Sequence, residues 1–504
     1  MKIRHGKHSP SSDPSGEIAS NGKLGAVTPH LRVFSIGLGI FITLVLVMVG
    51  ICAFCIYEEN WAPANANLPI WQTGVRNERA LIFAPHCDDE TIACGGIIKR
   101  LLARGDKVLV VVATNGDGFR LSVSRQFGKV NVNADDFIRF GYLRQQESIA
   151  ALKHLGLKSE DVIFLGYPDR GLAPMWLNNW EATNLFYSSY TNSDHSPYKN
   201  AFHFRTPYCG EALLINLKEI LRSFQPTTVY YPHTYEAHSD HWAAGCYMTE
   251  ALYETGLLNK VRSGLYIVHR GDWPVPQGLA EGRSLPPPGL LKGLGTEWHE
   301  FDICTPDEKE KLSAVQMYKT QTSIPSMNRF LLSFVRNNEL FGTYPPATIR
   351  RISNIKDVSD IEWNSIEPSI LDAVGDSTKV NMDPAGDIKE IKCCYDDKKL
   401  YIRLGLAYKR GRTVSYAFHI HPLPMGSARP LNVQVKESRC DSDGVCTSLG
   451  QDALEITVPL SRLGKWKALM INADSKFKNI SLDSTAWRLL LPENQSPQIA
   501  KNMH

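Results

Sequence analysis

The sequence predicts an α/β protein: a Rossmann-like, doubly wound and mostly parallel sheet, followed by a C-terminal β-sandwich and preceded by one N-terminal transmembrane helix. Three observations carry this expectation. From residue 80, strand-like apolar runs alternate with amphipathic helical ones. Beyond Pro346 the texture changes to short alternating segments separated by turn residues, as in a sandwich. Residues 33–57 form an uncharged apolar run, long enough to cross a bilayer as a helix at ~20 residues per span.

Residues 1–32 are rich in Ser, Gly, Pro and charge without apolar periodicity, and read as a disordered cytosolic tail. Lys2, Arg4, Lys7, Lys23 and Arg32 precede the apolar run, whereas Glu58 and Glu59 follow it. The positive-inside rule then gives a single-pass membrane protein with a cytosolic N-terminus and an extracytoplasmic catalytic domain. A cleaved signal peptide is the alternative. The run exceeds the usual h-region, and the small-residue site Ala64-Asn65-Ala66 lies far downstream, which favours an uncleaved anchor. Residues 58–77 read as a linker, 78–345 as the α/β domain, 346–365 as a second linker, 366–492 as the sandwich and 493–504 as a tail.

Within the α/β domain, strands are expected at 80–84, 107–113, 162–165, 228–231 and 265–269. Helices are expected at 91–103, 143–155, 212–224 and 242–255, the first two stopped by Gly105 and Gly156. Ligands of such sheets bind beyond the carboxyl ends of the strands, so the active site belongs in the loops that follow them. Two long insertions, 119–140 and 173–208, read as lids or binding surfaces. The second carries Trp176, Trp180, Phe186, Tyr187, Tyr190, Tyr198 and Phe202, whose rings suit sugar faces or pack the insertion onto the domain.

Lys and Arg number 55 against 52 Asp and Glu, so no global field draws nucleic acid to the chain. The 11 cysteines show neither zinc-ribbon pairs nor a dense disulfide framework, although Cys440 and Cys446 are close enough to close a small loop in an oxidising compartment. His419 and His421 share a strand face, as buried hydrogen-bonded side chains commonly do, and receive no role.

The chemistry concentrates in two segments. The run from Phe83 to Glu90, Phe-Ala-Pro-His-Cys-Asp-Asp-Glu, ends the first strand and opens the first helix. His86 and Asp89 offer an imidazole and a carboxylate from one turn, as a borderline divalent metal requires, and Asp88 is placed to act as general base toward a water on that metal. His238-Ser239-Asp240-His241 follows the fourth strand. Residues three apart at a helix start share a face. One histidine therefore completes the metal site while the other addresses the substrate carbonyl, with Asp240 to orient it. Alone, each string also reads as an acid-capped helix start. Together, after two strands of one sheet, they point to a metal site.

His86-Cys87-Asp88-Asp89-Glu90 resembles the PHPDDE signature of the LmbE-like, or PIG-L, zinc-dependent deacetylases. This is the family of N-acetylglucosaminyl-phosphatidylinositol de-N-acetylase and the mycothiol-pathway deacetylases. Thr114-Asn115-Gly116, Arg144 with Glu147, Leu165-Gly166-Tyr167-Pro168-Asp169 and the His238–His241 string are similar to further motifs of that family. The resemblance implies zinc, with iron or cobalt as alternatives, held by His86, Asp89 and His241. It implies Asp88 as base, His238 as oxyanion stabiliser or proton donor supported by Asp240, and Arg144 and Asp169 against the substrate. Cys87 stands where the family usually has Pro, a change expected to loosen the ligand loop.

The implied activity is hydrolytic removal of N-acetyl groups from N-acetylglucosamine-type sugars of a glycan or glycoconjugate. The alternatives are a small glycoside or GlcNAc-phosphatidylinositol as substrate, and a carbohydrate-binding protein with an inactive catalytic domain. Asp383-Pro384-Ala385-Gly386-Asp387, the hairpin at 395–402 and residues 455–463 resemble family-nine carbohydrate-binding modules. That resemblance implies a sugar-binding sandwich, beside the plainer reading of a structural or docking module.

Overall fold

The computed structural model describes residues 42–48 and 68–493, with 75–76, 272, 354, 356, 378–383, 427 and 479 outside the described set. The transmembrane helix expected at 33–57 is overturned. Of that stretch only residues 42–48 are described, as a short helix. At ~1.5 Å per residue it spans about a third of a ~30 Å hydrocarbon core. Among the described residues no helix is long and apolar enough to cross a membrane. The fold class is corrected to an α/β domain followed by a large β-rich domain, and the single-pass placement falls with the helix. The tail at 1–32, most of the linker at 58–77 and nearly all of the tail at 493–504 lie outside the described residues.

The described residues from 68 to 493 lie in one compact unit. Its first sheet contains β1 (Arg79–Ala84), β2 (Lys107–Thr114), β3 (Val162–Tyr167), β4 (Thr228–Pro232), β5 (Arg262–Tyr266), β6 (Glu297–Asp302) and β7 (Asn338–Thr343), in the order β3-β2-β1-β4-β5-β7-β6. The first five are parallel, while β7 runs antiparallel to both β5 and β6. Continuous runs such as Val108 to Ala113 are buried along their whole length, which suits strands covered on both faces. Ile82, Val110 and Val112 pack on α1 (Asp89–Ala103) through Ile97 and Leu101. Leu81, Phe83, Leu109 and Val111 point the other way.

Further helices are α2 (Arg120–Phe127), α3 (Ala134–His154), α4 (Leu172–Leu177), α5 (Gly210–Phe224) and α6 (Ser239–Glu254). From β1 the chain proceeds to β2 on one side, and from β4 to β5 on the other. The loops leaving β1 and β4 therefore diverge and leave a crevice between them, the place where doubly wound sheets bind ligands.

Three elements differ from the sequence reading for identifiable reasons. The helix expected at 143–155 begins at Ala134, because Asn133 and Asp136 form a capping box. The strand expected at 265–269 ends at Tyr266, because the Glu236 carboxylate takes the amides of Val268 (2.7 Å) and His269 (2.8 Å) out of the sheet. In the second insertion Trp176, Trp180 and Tyr198 are buried, Phe186, Tyr190 and Phe202 are half-buried against the core, and Tyr187 is exposed.

Among the described residues the β-rich domain shows twelve strands, β8 (Ala347–Arg351) to β19 (Arg488–Pro492). β8 occupies the start of the linker expected at 346–365, and pairs in parallel with β19. Ile391, Ile402 and Ile456 from one half of the sheet share a core with Phe418, Ile420 and Leu469 from the other, so the sheet folds over on itself. Cys440 and Cys446 form a disulfide. His419 meets Asn432 and Asp474, and His421 meets Glu250 of α6, tying the β-rich domain to the α/β domain.

Candidate metal centre

The turn after β1 is strained. Asp88 has φ 131°, a conformation that L side chains rarely adopt. Its amide donates to Glu90 Oε2 (3.0 Å), and Glu90 Oε1 accepts from Tyr318 (2.7 Å) and Ser148. The anchored Glu90 holds the turn in place.

Asp89 Oδ2 accepts from the His86 amide (2.9 Å) and lies 3.2 Å from His86 Nδ1 and 3.1 Å from His241 Nε2. The two ring nitrogens are themselves 3.2 Å apart. Ligand atoms ~2.0–2.1 Å from a tetrahedral zinc stand ~3.3 Å from one another, so this triangle fits a zinc-sized cation. His269 lies beside it, with Nε2 3.8 Å from Asp89 Oδ1, an oxygen buried with no hydrogen-bond partner.

Carboxylates sit behind both imidazoles. His86 Nε2 faces Asp240 Oδ2 (3.3 Å) and Asp169 Oδ1 (3.5 Å), and His241 Nδ1 faces Glu236 Oε1 (3.2 Å). Such partners fix the tautomer and orientation of metal-binding rings.

The electrostatics favour positive charge at this point. Burial opposes a charged His86, but Asp169, Asp240 and Asp89 outweigh it and hold the imidazole well above its ordinary pKa. Burial likewise opposes charge on His241, yet Asp89 and Glu236 lift it to about 9. Asp89 is held well below the usual carboxylate range, since the two histidines outweigh its burial. A pocket that favours protons on both imidazoles also favours a divalent cation in their place. Burial, with His86 and His241 nearby, pushes His238 down to about 4. Burial pushes Asp88 up to about 7 against the pull of Arg144.

The eight residues singled out in the sequence, His86, Asp88, Asp89, Arg144, Asp169, His238, Asp240 and His241, come together around this crevice. Some do so in arrangements other than those expected. Arg144, on α3, donates to Asp88 Oδ2 (2.9 Å), Gly116 O (2.8 Å) and Cys87 O. Asp169 Oδ2 accepts from the Gly118 amide (2.8 Å). Both side chains are buried and engaged in holding loops.

Asp240 differs as well. Its carboxylate accepts from the amides of Arg170 (2.6 Å) and Leu172 (3.1 Å) and faces His86, not the His238 ring it was expected to support. Only its backbone amide reaches His238, donating to Nδ1 (3.2 Å), which leaves the ring proton on Nε2. Cys87 packs in the core with its carbonyl held by Arg144, so the turn is secured without the proline. Sequence reasoning missed Glu236, His269 and the anchoring role of Glu90. Glu90 stood in the motif; Glu236 and His269 carried no spacing that marks a ligand.

A family model described as GlcNAc-PI de-N-acetylase, PIG-L, matches residues 81–252, the segment that contains all eight residues. No curated protein matches the chain. Among solved structures, N,N'-diacetylchitobiose deacetylase from Pyrococcus horikoshii is 20% identical, with 52% of this chain and 82% of that chain covered and a TM-score of 0.31. A conserved protein from Thermus thermophilus is 19% identical, covering 50% and 84%, with a TM-score of 0.29. A deacetylase of teicoplanin biosynthesis is 18% identical, covering 49% and 90%, with a TM-score of 0.31. The family match ends before the β-rich domain, whose resemblance to family-nine modules finds no support. It supports an N-deacetylase hydrolase. Residues 81–252 of this chain are a domain of the PIG-L, or GlcNAc-PI de-N-acetylase, family.

Proposed function

We propose that this domain is a zinc-dependent deacetylase that hydrolyses the N-acetyl group of N-acetylglucosamine-type sugars in a glycan or glycoconjugate. The observation that carries this reading is the triangle of His86 Nδ1, Asp89 Oδ2 and His241 Nε2 beside the strained, Arg144-bound Asp88. Those three atoms would hold the metal. Zinc, when bound there, supplies Lewis-acid polarisation of the amide carbonyl and a more acidic water.

Asp88, lifted by burial toward neutrality, is suited to take the proton of the attacking water and return it to the departing nitrogen. Arg144 holds the carboxylate at 2.9 Å and keeps it in one orientation. His238, neutral and carrying its proton on Nε2, is suited to donate a hydrogen bond to the developing oxyanion. Asp240 and Asp169 steady His86, and Glu236 steadies His241. Proton return to nitrogen matters because an amide anion is a very poor leaving group.

The family's name favours one second reading, GlcNAc-phosphatidylinositol as substrate. Acetate release by the full chain, with and without zinc, from N-acetylglucosamine oligomers and from GlcNAc-phosphatidylinositol tests both. Asp88→Asn is expected to lower kcat by ~10²–10⁴-fold with zinc stoichiometry retained. Undiminished turnover in that variant removes Asp88 from the chemistry, and release without metal removes zinc.

A further inference from the structure

The β-rich domain carries a second buried acidic cluster that the proposed chemistry leaves unused. Asp372, Asp376 and Asp483 each bring a carboxylate oxygen to within 4.8 Å of the other two. Asp387, wholly buried, is near enough to act electrostatically on Asp376 and Asp483. The Arg270 guanidinium lies alongside, with Nη2 3.5 Å from Asp376 Oδ2.

Part of this cluster is satisfied by the backbone. Asp483 accepts from the amides of Ile388 (2.8 Å) and Ser484 (2.8 Å), and Asp387 Oδ2 accepts from the Gly375 amide (2.8 Å). The remainder is not. Asp372 Oδ2, Asp376 Oδ1, Asp387 Oδ1 and the neighbouring Ser377 Oγ are buried without a hydrogen-bond partner, on residues as enclosed as Asp372 (5% exposed) and Asp387 (0%). One orphaned carboxylate oxygen in an interior is costly. Two of these oxygens belong to the clustered carboxyls of Asp372 and Asp376, and a third to Asp387, which acts on the cluster electrostatically.

We propose that Asp372, Asp376 and Asp483, with Asp387 behind them, form a binding site for a hard divalent cation of the calcium type. The spacing is compatible: the three oxygens lie within 4.8 Å of one another, and oxygens ~2.3–2.6 Å from calcium lie up to ~5 Å apart across the ion. So is the chemistry. The donors are all oxygen, whereas the first centre mixes imidazole with carboxylate, so the two sites select different metals. Gly375, with φ 91°, supplies the reversal that brings Asp372 and Asp376 of one loop to the same point. The site also has a place in the architecture. Arg270 directly follows His269 of the metal centre, so a cation here fastens the 372–377 loop of the β-rich domain beside the chain leaving β5.

Calorimetric titration of the zinc-loaded full chain with calcium chloride tests the site. One calcium per chain is expected, with a Kd between about 10⁻⁷ and 10⁻³ M, together with a rise in thermal midpoint. Asp372→Asn and the less buried Asp376→Asn are each expected to weaken calcium binding at least ~10-fold with zinc content unchanged. Absence of both heat and midpoint shift in the unsubstituted protein up to about 10 mM calcium overturns the proposal. Equal calcium affinity in both variants overturns it as well. The titration of the unsubstituted chain stands whether or not a variant folds.

Discussion

His241 meets Asp89 and Glu236 in the metal centre, and His421 meets Glu250 where the β-rich domain packs on α6; both imidazoles are wholly buried. At His241 one ring nitrogen points into a triangle with two other ligand atoms, and a carboxylate holds the second nitrogen. At His421, Nε2 lies 3.1 Å from Glu250 Oε2. Its ring is stacked on Trp176 with centroids 3.7 Å apart and planes 6° from parallel, and Trp180 meets it edge-on. No third ligand atom joins that pair among the described residues. A buried histidine beside a carboxylate is thus a packing device when aromatic rings close over it, and a candidate metal ligand when several donors converge and each imidazole has its own second carboxylate.

The largest effect that tests this contrast is on stability. His421→Leu leaves Glu250 buried and unpaired, and is expected to cost about 3–5 kcal/mol in denaturant unfolding, with zinc content unchanged. Replacing both partners by leucine is expected to recover most of the loss. If His421→Leu instead lowers bound zinc at full folding, the two contacts are not distinct.

A smaller effect is expected at Glu236. Glu236→Gln keeps an acceptor oxygen for only one of the Val268 and His269 amides and no longer presents a carboxylate to His241. Zinc affinity, read by chelator competition, should fall ~10–100-fold. An unchanged affinity would show that ring orientation is set elsewhere.

The smallest effect concerns a carboxylate with neither imidazole nor metal. Asp117 accepts from Tyr198, and burial raises it from 3.8 to about 7, with the nearby Asp169 adding to the shift. A folded-state pKa above the unfolded value means that Asp117 supports the fold below about pH 4 and loses that contribution as pH rises toward 7. Asp117→Asn should therefore flatten the fall in thermal midpoint over that window. A profile identical to that of the unsubstituted chain would show that Asp117 does not titrate between the two states.

The legible elements are those whose signal is local. β1, β2 and β4 are buried on both faces, and a continuous apolar run marks them. His86, Asp88 and Asp89 share one turn, and His238 and His241 one helix start, so neighbours in sequence stay neighbours in space. Glu236 is different, because its link to His269 spans 33 positions and exists only where β5 ends. Trp176 and Trp180 read equally well as lid or core, since an aromatic ring carries no mark of which face it will cover. The apolar run at 33–57 shows the converse: its hydropathy suits a spanning helix, yet among the described residues no helix is long and apolar enough to cross a membrane.

By itself the sequence determined which residues stand at the two strand ends of the candidate metal centre, because strand burial and helix starts are written in adjacent residues. Tertiary structure alone decided which carboxylate serves which imidazole, that Arg144 holds Asp88, that Glu236 and His269 belong to the centre, and that four aspartates of the β-rich domain gather beside Arg270. Each of these depends on where separate strand ends and loops converge, and no local pattern encodes that distance.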